Sequence, residues 1–168
     1  MTSTPPDAAG GFGESGIDPT LFEQYCFGCG RHNPIGLHLG FARDGDGDDA
    51  GVVAYYTPRR EDQGFPEVMH GGLLSLLLDE AMGWAMYADR LFAVTAKMEL
   101  RYRRPVGVES TLTIRARITR QRGRRIEAEA TITDEHGVPL VDANALFIRM
   151  SPDAEARALA SFRASGAA

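Results

Sequence analysis

Eighteen residues, Met69-His70-Gly71-Gly72-Leu73-Leu74-Ser75-Leu76-Leu77-Leu78-Asp79-Glu80-Ala81-Met82-Gly83-Trp84-Ala85-Met86, constrain this chain more than any other part. They predict a helix that is apolar on nearly every side, which must be buried and not laid on a surface. Asp79 stands inside it, directly after three leucines. Asp is a poor helix-interior residue, and burying an unpaired carboxylate costs several kcal/mol or forces its pKa upward. A carboxylate kept there implies a purpose. At the upstream end, His70-Gly71-Gly72 marks where the backbone turns into the helix, and the first N–H groups have no partner within it. A negative oxygen can settle at that end.

Gly71 and Asp79 are eight positions apart, or about 12 Å along the axis at roughly 1.5 Å per residue. One chain does not easily bring both to the same reacting carbonyl. Two antiparallel copies of the helix would, with Asp79 of one facing Gly71 of the other across a two-fold axis. The expected assembly is a homodimer with shared sites, or a dimer of dimers.

A chain of 168 residues fits one domain with short tails. Its net charge of −5 and its lack of basic blocks give no footing for nucleic acid. Met1 to Gly16 has neither a basic start nor an apolar run, so it does not read as a signal peptide. No apolar stretch reaches the roughly 20 residues of a membrane span. Two cysteines make no disulfide framework. A cytoplasmic protein without membrane or nucleic-acid partners is expected.

Residues 1–16, rich in Gly, Pro, Ser and Ala, predict a disordered tail. Residues 17–150 form the expected domain, and 151–168 a short C-terminal helix with its tail. Asp18-Pro19 predicts the start of a short helix through about Tyr25. A glycine-studded loop from Cys26 to Gly36 follows. Leu37–Arg43 and Val52–Thr57 read as a hairpin, and Pro58–Val68 as a loop into the central helix. Beyond the helix the period changes to two. Ala96, Met98, Leu100 and Tyr102 alternate with Thr95, Lys97, Glu99, Arg101 and Arg103, giving a strand with one apolar face. Leu112 to Ile118, Ile126 to Ile132 and Leu140 to Met150 predict three more strands, with turns at Gly123 and at Asp134 to Gly137. Ser151-Pro152-Asp153 caps an alanine-rich tail helix reaching about Phe162. A hairpin, a long buried helix and then successive strands make an α+β hotdog fold, an antiparallel sheet wrapped around a central helix.

At this point the sequence resembles the hotdog-fold thioesterases, in the PaaI-like branch of the 4-hydroxybenzoyl-CoA thioesterase superfamily. The resemblance rests on Gln63 to Met69, on His70-Gly71-Gly72 with Asp79 nine positions after His70, and on Val94 to Pro105. Cys26 to Gly30 with Asn33 to Leu37 adds to it, so that it spans roughly residues 26–150. It implies an acyl-CoA thioesterase, with Asp79 as nucleophile or general base and the Gly71 N–H polarising the thioester carbonyl. His70 then helps shape the turn, and Thr95 matches a hydroxyl that positions water or the carboxylate. Relatives place Asn or Gln seven residues before the oxyanion glycine. Here that position is Gly64, and Gln63 is the substitute. Gly72, Phe65, Met69, Arg101, Arg103 and Arg104 are the expected substrate contacts, the arginines through CoA phosphates.

Plainer readings stand beside these. Asp79 could be satisfied by Ser75, and Glu80, about 100° round the helix, reads as a structural or interface group. Thr95 could be only a β-branched strand residue. Arg120, Arg122, Arg124 and Arg125 flank a hairpin turn and read as solvated. Phe65, Met69, Met82, Trp84, Met86 and Tyr87 could line an acyl pocket, and the plainer reading of most of them is core. Cys26-x-x-Cys29-x-x-His32, with His38 nearby, invites a zinc reading. Structural zinc sites, however, usually draw ligand pairs from two separated segments, and no second pair is visible. No metal and no cofactor are expected. Two rival functions follow from the same fold: an acyl-CoA-binding sensor without catalysis, and a hydratase or dehydratase. The second would need a histidine where Gly64 stands before Phe65-Pro66, and the first would be expected to lack Asp79.

Overall fold

The computed structural model describes residues 23–47 and 50–165. The disordered tail and the start of a helix at Asp18-Pro19 lie outside the described residues. The last part of that expected helix, Glu23 to Tyr25, is not helical. Eight strands and two helices follow in order: β1 (Phe41–Asp44), β2 (Gly51–Tyr56), β3 (Gln63–Phe65), β4 (Val68–Met69), α1 (Gly71–Ala88), β5 (Ala93–Tyr102), β6 (Leu112–Arg122), β7 (Arg125–Thr133), β8 (Pro139–Arg149) and α2 (Pro152–Ser165). Six of the strands form one antiparallel sheet in the order β1-β2-β6-β7-β8-β5, and β3 and β4 form a small separate hairpin. The sheet packs on α1 from β1 to β5. The hotdog expectation holds.

Alternation set the sheet as read. Leu112, Ile114 and Ala116 on β6 and Ile126, Ala128, Ala130 and Ile132 on β7 are all buried against α1. Leu77, Leu78, Ala81 and Met82 on α1 are wholly buried beneath them. Each such Leu or Met contributes about 1.5–3 kcal/mol through the apolar surface it removes from water. The helix is not covered all round, however. Gly72 is exposed, and Leu76, Asp79 and Gly83 along the same stripe are only half-buried. A Cβ added at Gly83 would meet nothing within 4 Å.

Two boundaries differ from the expectation. Leu37 and Leu39 are buried but lie before β1, because their N–H groups pair with the cysteine loop: Leu37 with Phe27 O at 2.8 Å and Leu39 with Gly28 O at 2.9 Å. The segment before α1 is also not a plain loop. It holds a 3-10 turn, Arg60–Asp62, and then the β3–β4 hairpin.

The edge strand β5 carries an irregularity between Thr95 and Lys97 in its pairing with β8. Met98 and Leu100 pack on the core, and the Tyr102 hydroxyl reaches Gly71 O on α1. Counting back by twos from these would aim Thr95 away from the helix. The extra residue, Ala96, reverses the phase, and Thr95 points to α1 as well. No helix among the described residues is long and apolar enough to cross a membrane.

Candidate active site

The entrance to α1 is built by several converging bonds. Asp62, 2% exposed, accepts from Tyr56 Oη at 2.6 Å, from the Arg59 N–H at 2.7 Å and from the Arg59 guanidinium at 2.9 Å. Burial would push this carboxyl up, but the hydrogen bonds from Arg59 and Tyr56 outweigh it and hold it below the ordinary range. Burial and the Asp62 hydrogen bond push the Tyr56 phenol up. The Asp62 carbonyl then accepts the His70 N–H at 2.8 Å, and Val106 O accepts the Met69 N–H at 2.8 Å. The chain is thus fixed immediately before the helix begins.

His70 is the N-cap, with φ −65° and ψ 130°. Its Nδ1 accepts the Gly72 N–H at 2.9 Å, so Nδ1 carries no proton and a neutral ring holds its proton on Nε2. The Gly72 N–H is therefore spent inside the protein, and Gly72 offers no donor to a substrate. The Gly71 N–H meets no acceptor among the described residues. Ser75 Oγ and Tyr102 Oη each donate to Gly71 O at 3.0 Å and lie 2.9 Å from each other. Gly71 is held by its oxygen while its N–H stays free.

Two turns on, Thr95 Oγ1 donates to Asp79 Oδ1 at 2.7 Å. No donor among the described residues takes Oδ2. Ser75, the plainer partner for Asp79, is occupied at the helix entrance instead. Asp79 and Thr95 line a cavity of about 350 Å³ that also holds Cys26, Cys29, Glu80 and Tyr87. Glu80 turns toward the cysteine loop within the same cavity, where Oε1 lies 3.2 Å from Cys26 Sγ. Burial pushes the Glu80 carboxyl up to about 8. The Cys26 thiol is brought down to about 5 by the Cys29 hydrogen bond, with the Cys29 and Gly28 N–H groups helping against burial. Cys29 moves the opposite way, raised by its bond to Cys26 and by burial. Burial pushes Tyr87 up to about 12.

The remaining expected residues scatter. Gln63 Oε1 accepts the Glu67 N–H at 3.1 Å, which braces the β3–β4 turn where Glu67 has a φ of 63°. A Cβ at Gly64 would sit 3.1 Å from His70 Cα and Cδ2, so His70 fills the space a side chain there would need. Phe65 is 77% exposed, whereas Met69 is 2% exposed and belongs to the core, not to an open acyl pocket. Arg103 pairs with Asp142, on the sheet face turned away from α1. Arg101 shares that face by alternation, and Arg104 is exposed beyond the strand end. In one chain the cluster does not meet Asp79. Sequence reading missed Asp62, Tyr102 and the Glu80–cysteine contact. Only the last left a signal, in the glycines crowding the cysteine loop.

With this geometry in hand, comparison with known proteins is informative. A family model described as the thioesterase superfamily matches residues 67–141, the segment from β4 through α1 to β8. That segment is similar to the thioesterase superfamily. Acyl-coenzyme A thioesterase THEM4 of Rattus norvegicus is 29% identical over 104 residues, covering 61% of this chain and 44% of that protein. THEM4 of Bos taurus is 26% identical over 144 residues, 82% of this chain and 59% of that one. The chain thus spans about half the length of these curated relatives. Among solved structures, one described as a thioesterase superfamily protein superposes with a TM-score of 0.67 at 26% identity, over 79% of this chain and 65% of that one. A hypothetical thioesterase from Streptococcus pneumoniae, determined with coenzyme A, shares the fold with a TM-score of 0.60 at 20% identity, over 67% and 87% of the two chains. Both groups singled out above, the Gly71 N–H and Asp79, fall inside the matched segment.

Proposed function

We propose that this protein hydrolyses an acyl-CoA thioester to the free acid and CoA, in a homodimer whose site joins Gly71 of one protomer to Asp79 of the other. The observation that carries the reading is the pair of unsatisfied groups on one helix. Gly71 keeps a free N–H, and Asp79 is held at one oxygen by Thr95 with the other open. About 12 Å of helix separates them, too far for one carbonyl. The half-open stripe of α1 and the unpaired edge of β5, where Val94 is 51% exposed, are the surfaces a second copy would cover. The curated relatives named acyl-CoA thioesterases, and the coenzyme A held by the streptococcal structure, support the substrate class.

The chemistry follows from charge development. The carbonyl oxygen sits at the Gly71 N–H, where a fixed donor and the helix dipole favour the negative charge of the tetrahedral species. The open Asp79 oxygen either attacks the carbonyl carbon or takes a proton from the water that does. Thr95 holds the carboxylate in the rotamer that aims this oxygen. The C–S bond then breaks, and CoA leaves as a thiolate stable enough to need no strong general acid. Where Asp79 itself attacks, water then hydrolyses the mixed anhydride to the free acid and restores the carboxylate. Arg101 and Arg104, which make no ion pair among the described residues, are the arginines free to meet CoA phosphates.

The test is free-thiol release from a panel of acyl-CoAs, with wild type and Asp79→Asn compared side by side. A folded mutant that has lost roughly 10²–10³-fold in turnover supports the reading. Tight CoA-ester binding without turnover by wild type would favour a sensor, and equal activity in both proteins would remove Asp79 from the mechanism.

A further inference from the structure

Beside Asp79, about 100° round α1, lies a cluster that the thioesterase reading leaves unused. Cys26 Sγ, Cys29 Sγ and a Glu80 carboxylate oxygen all lie within 4.8 Å of one another. They come from two segments: a tight loop and, 54 positions later, the third turn of the buried helix. Sequence alone showed no second segment, which was the argument against a metal. Glu80 supplies it.

We propose that Cys26, Cys29 and Glu80 form a binding site for a thiophilic divalent cation, zinc being the physiological metal whose chemistry fits. Two sulfur ligands argue against magnesium and calcium, which take oxygen. Zinc takes sulfur at about 2.3 Å and oxygen at about 2.0–2.2 Å in a tetrahedron, which places two sulfurs about 3.7 Å apart. The three ligand atoms therefore need to draw together by about 1 Å or less. His32 and His38 are not part of the set. His32 Nε2 sits 3.0 Å from Glu23, and His38 is exposed with a φ of 51°.

The loop is shaped to bring its thiols to Glu80. The Gly30 N–H closes back on Cys26 O at 2.9 Å, and the N–H groups of Leu37 and Leu39 pin Phe27 and Gly28. A Cβ at Gly30 would fall 2.3 Å from Cys26 N, and one at Gly28 would fall 2.4 Å from Glu80 Cγ and Cδ. Only glycine lets the loop fold this tightly and come this close to the helix. No Lys or Arg pairs with Glu80 among the described residues. A divalent cation would give the carboxylate a positive partner, and its fourth position faces the cavity shared with Asp79 and Thr95. The proposal is independent of the thioesterase reading, which gives none of the three ligands a role.

The experiment uses the full chain, purified with reductant, stripped with a chelator and titrated with Co²⁺ and then Zn²⁺. One cobalt per chain is expected, with thiolate-to-metal charge-transfer absorption and the visible bands of a tetrahedral site, all abolished by zinc. Cys26→Ser should lose the charge-transfer band. Glu80→Gln should keep thiolate absorption but bind at least roughly tenfold more weakly, since loss of even an outer-shell partner costs about that much. Circular dichroism establishes that each variant is folded. The wild-type titration decides on its own if a variant is not. A reduced, folded wild type that shows no thiolate band and retains no zinc overturns the site. So does a cobalt spectrum unchanged in both Cys26→Ser and Cys29→Ser, or a Cys26–Cys29 disulfide that is the only stable state of the purified protein.

Discussion

The first turn of α1 and its third turn are built on opposite plans. At the first turn the proposed reactive group is backbone, the Gly71 N–H, and side chains serve only to hold that backbone. His70 occupies the neighbouring N–H, Ser75 and Tyr102 occupy the Gly71 carbonyl, and Asp62 fixes the chain just upstream. At the third turn the proposed reactive group is a side chain, Asp79, and a single hydroxyl among the described residues holds it. A backbone donor cannot be re-aimed by a rotamer change, so its precision comes from many bonds around it. A carboxylate that must approach a carbonyl or a water needs one free oxygen, and more bonds would consume it.

The comparison can be broken most severely by deleting each reactive group alone. Gly71→Pro removes only the N–H, since proline suits the first helical position and His70 already has the extended geometry that a following proline requires. A Cβ there would meet Tyr102 at an ordinary 3.6 Å. Gly71→Pro and Asp79→Asn should each lose roughly 10²–10³-fold in kcat while remaining folded. Mixed and re-equilibrated, the two dead proteins should recover about a quarter of wild-type activity, because half the dimers are mixed and each carries one intact site. No recovery would place both groups of a site in one chain.

Asp62→Asn attacks the support of the first turn. It should cost about 2–3 kcal/mol at neutral pH, read from urea midpoints, as hydrogen bonds to a buried charge are weakened. The Asp62 carboxyl is depressed in the folded state, so its contribution is fully present above its ordinary value near 3.9 and is lost as pH falls below it. Wild-type stability should therefore drop more steeply than that of the variant on acidification below about pH 4. Equal slopes would mean that the clamp is not what holds the loop.

Thr95→Val tests the lightly held half. Roughly a tenfold loss of kcat is expected, with stability nearly unchanged, because one hydrogen bond of about 1–1.5 kcal/mol is removed at a half-open site. The smallest effect should come from Tyr102→Phe, about 1 kcal/mol in stability and a few-fold in kcat, since Ser75 still holds the Gly71 carbonyl.

The helix and the period-two strands were legible because each is a pattern of spacing. The proposed pairing of a helix-end glycine with an internal acid is drawn from a pattern of the same kind. Asp62 was not, because its worth comes from Tyr56 and Arg59 closing round it, and no periodicity announces a clamp. Glu80 was read as an interface group because its partners lie 54 positions away in a loop with no regular period. Thr95 was found by resemblance while the alternation placed it on the polar face. Met69, read as a pocket residue, is core because the β3–β4 hairpin turns it inward beneath Val106.

Ala96 sets how far β5 tolerates a change of length. Thr95 and Tyr102 are seven residues apart, an odd interval, yet both reach the same helix. On a flat ladder one of them would have to face away. The single inserted residue lets one strand grip both stations of α1 and gauge the distance between them. Removing Ala96 would not merely shorten β5. It would uncouple the carboxylate from its hydroxyl while leaving every apolar contact beyond Met98 in step, so a length change of one residue could disarm the site in a protein that still folds.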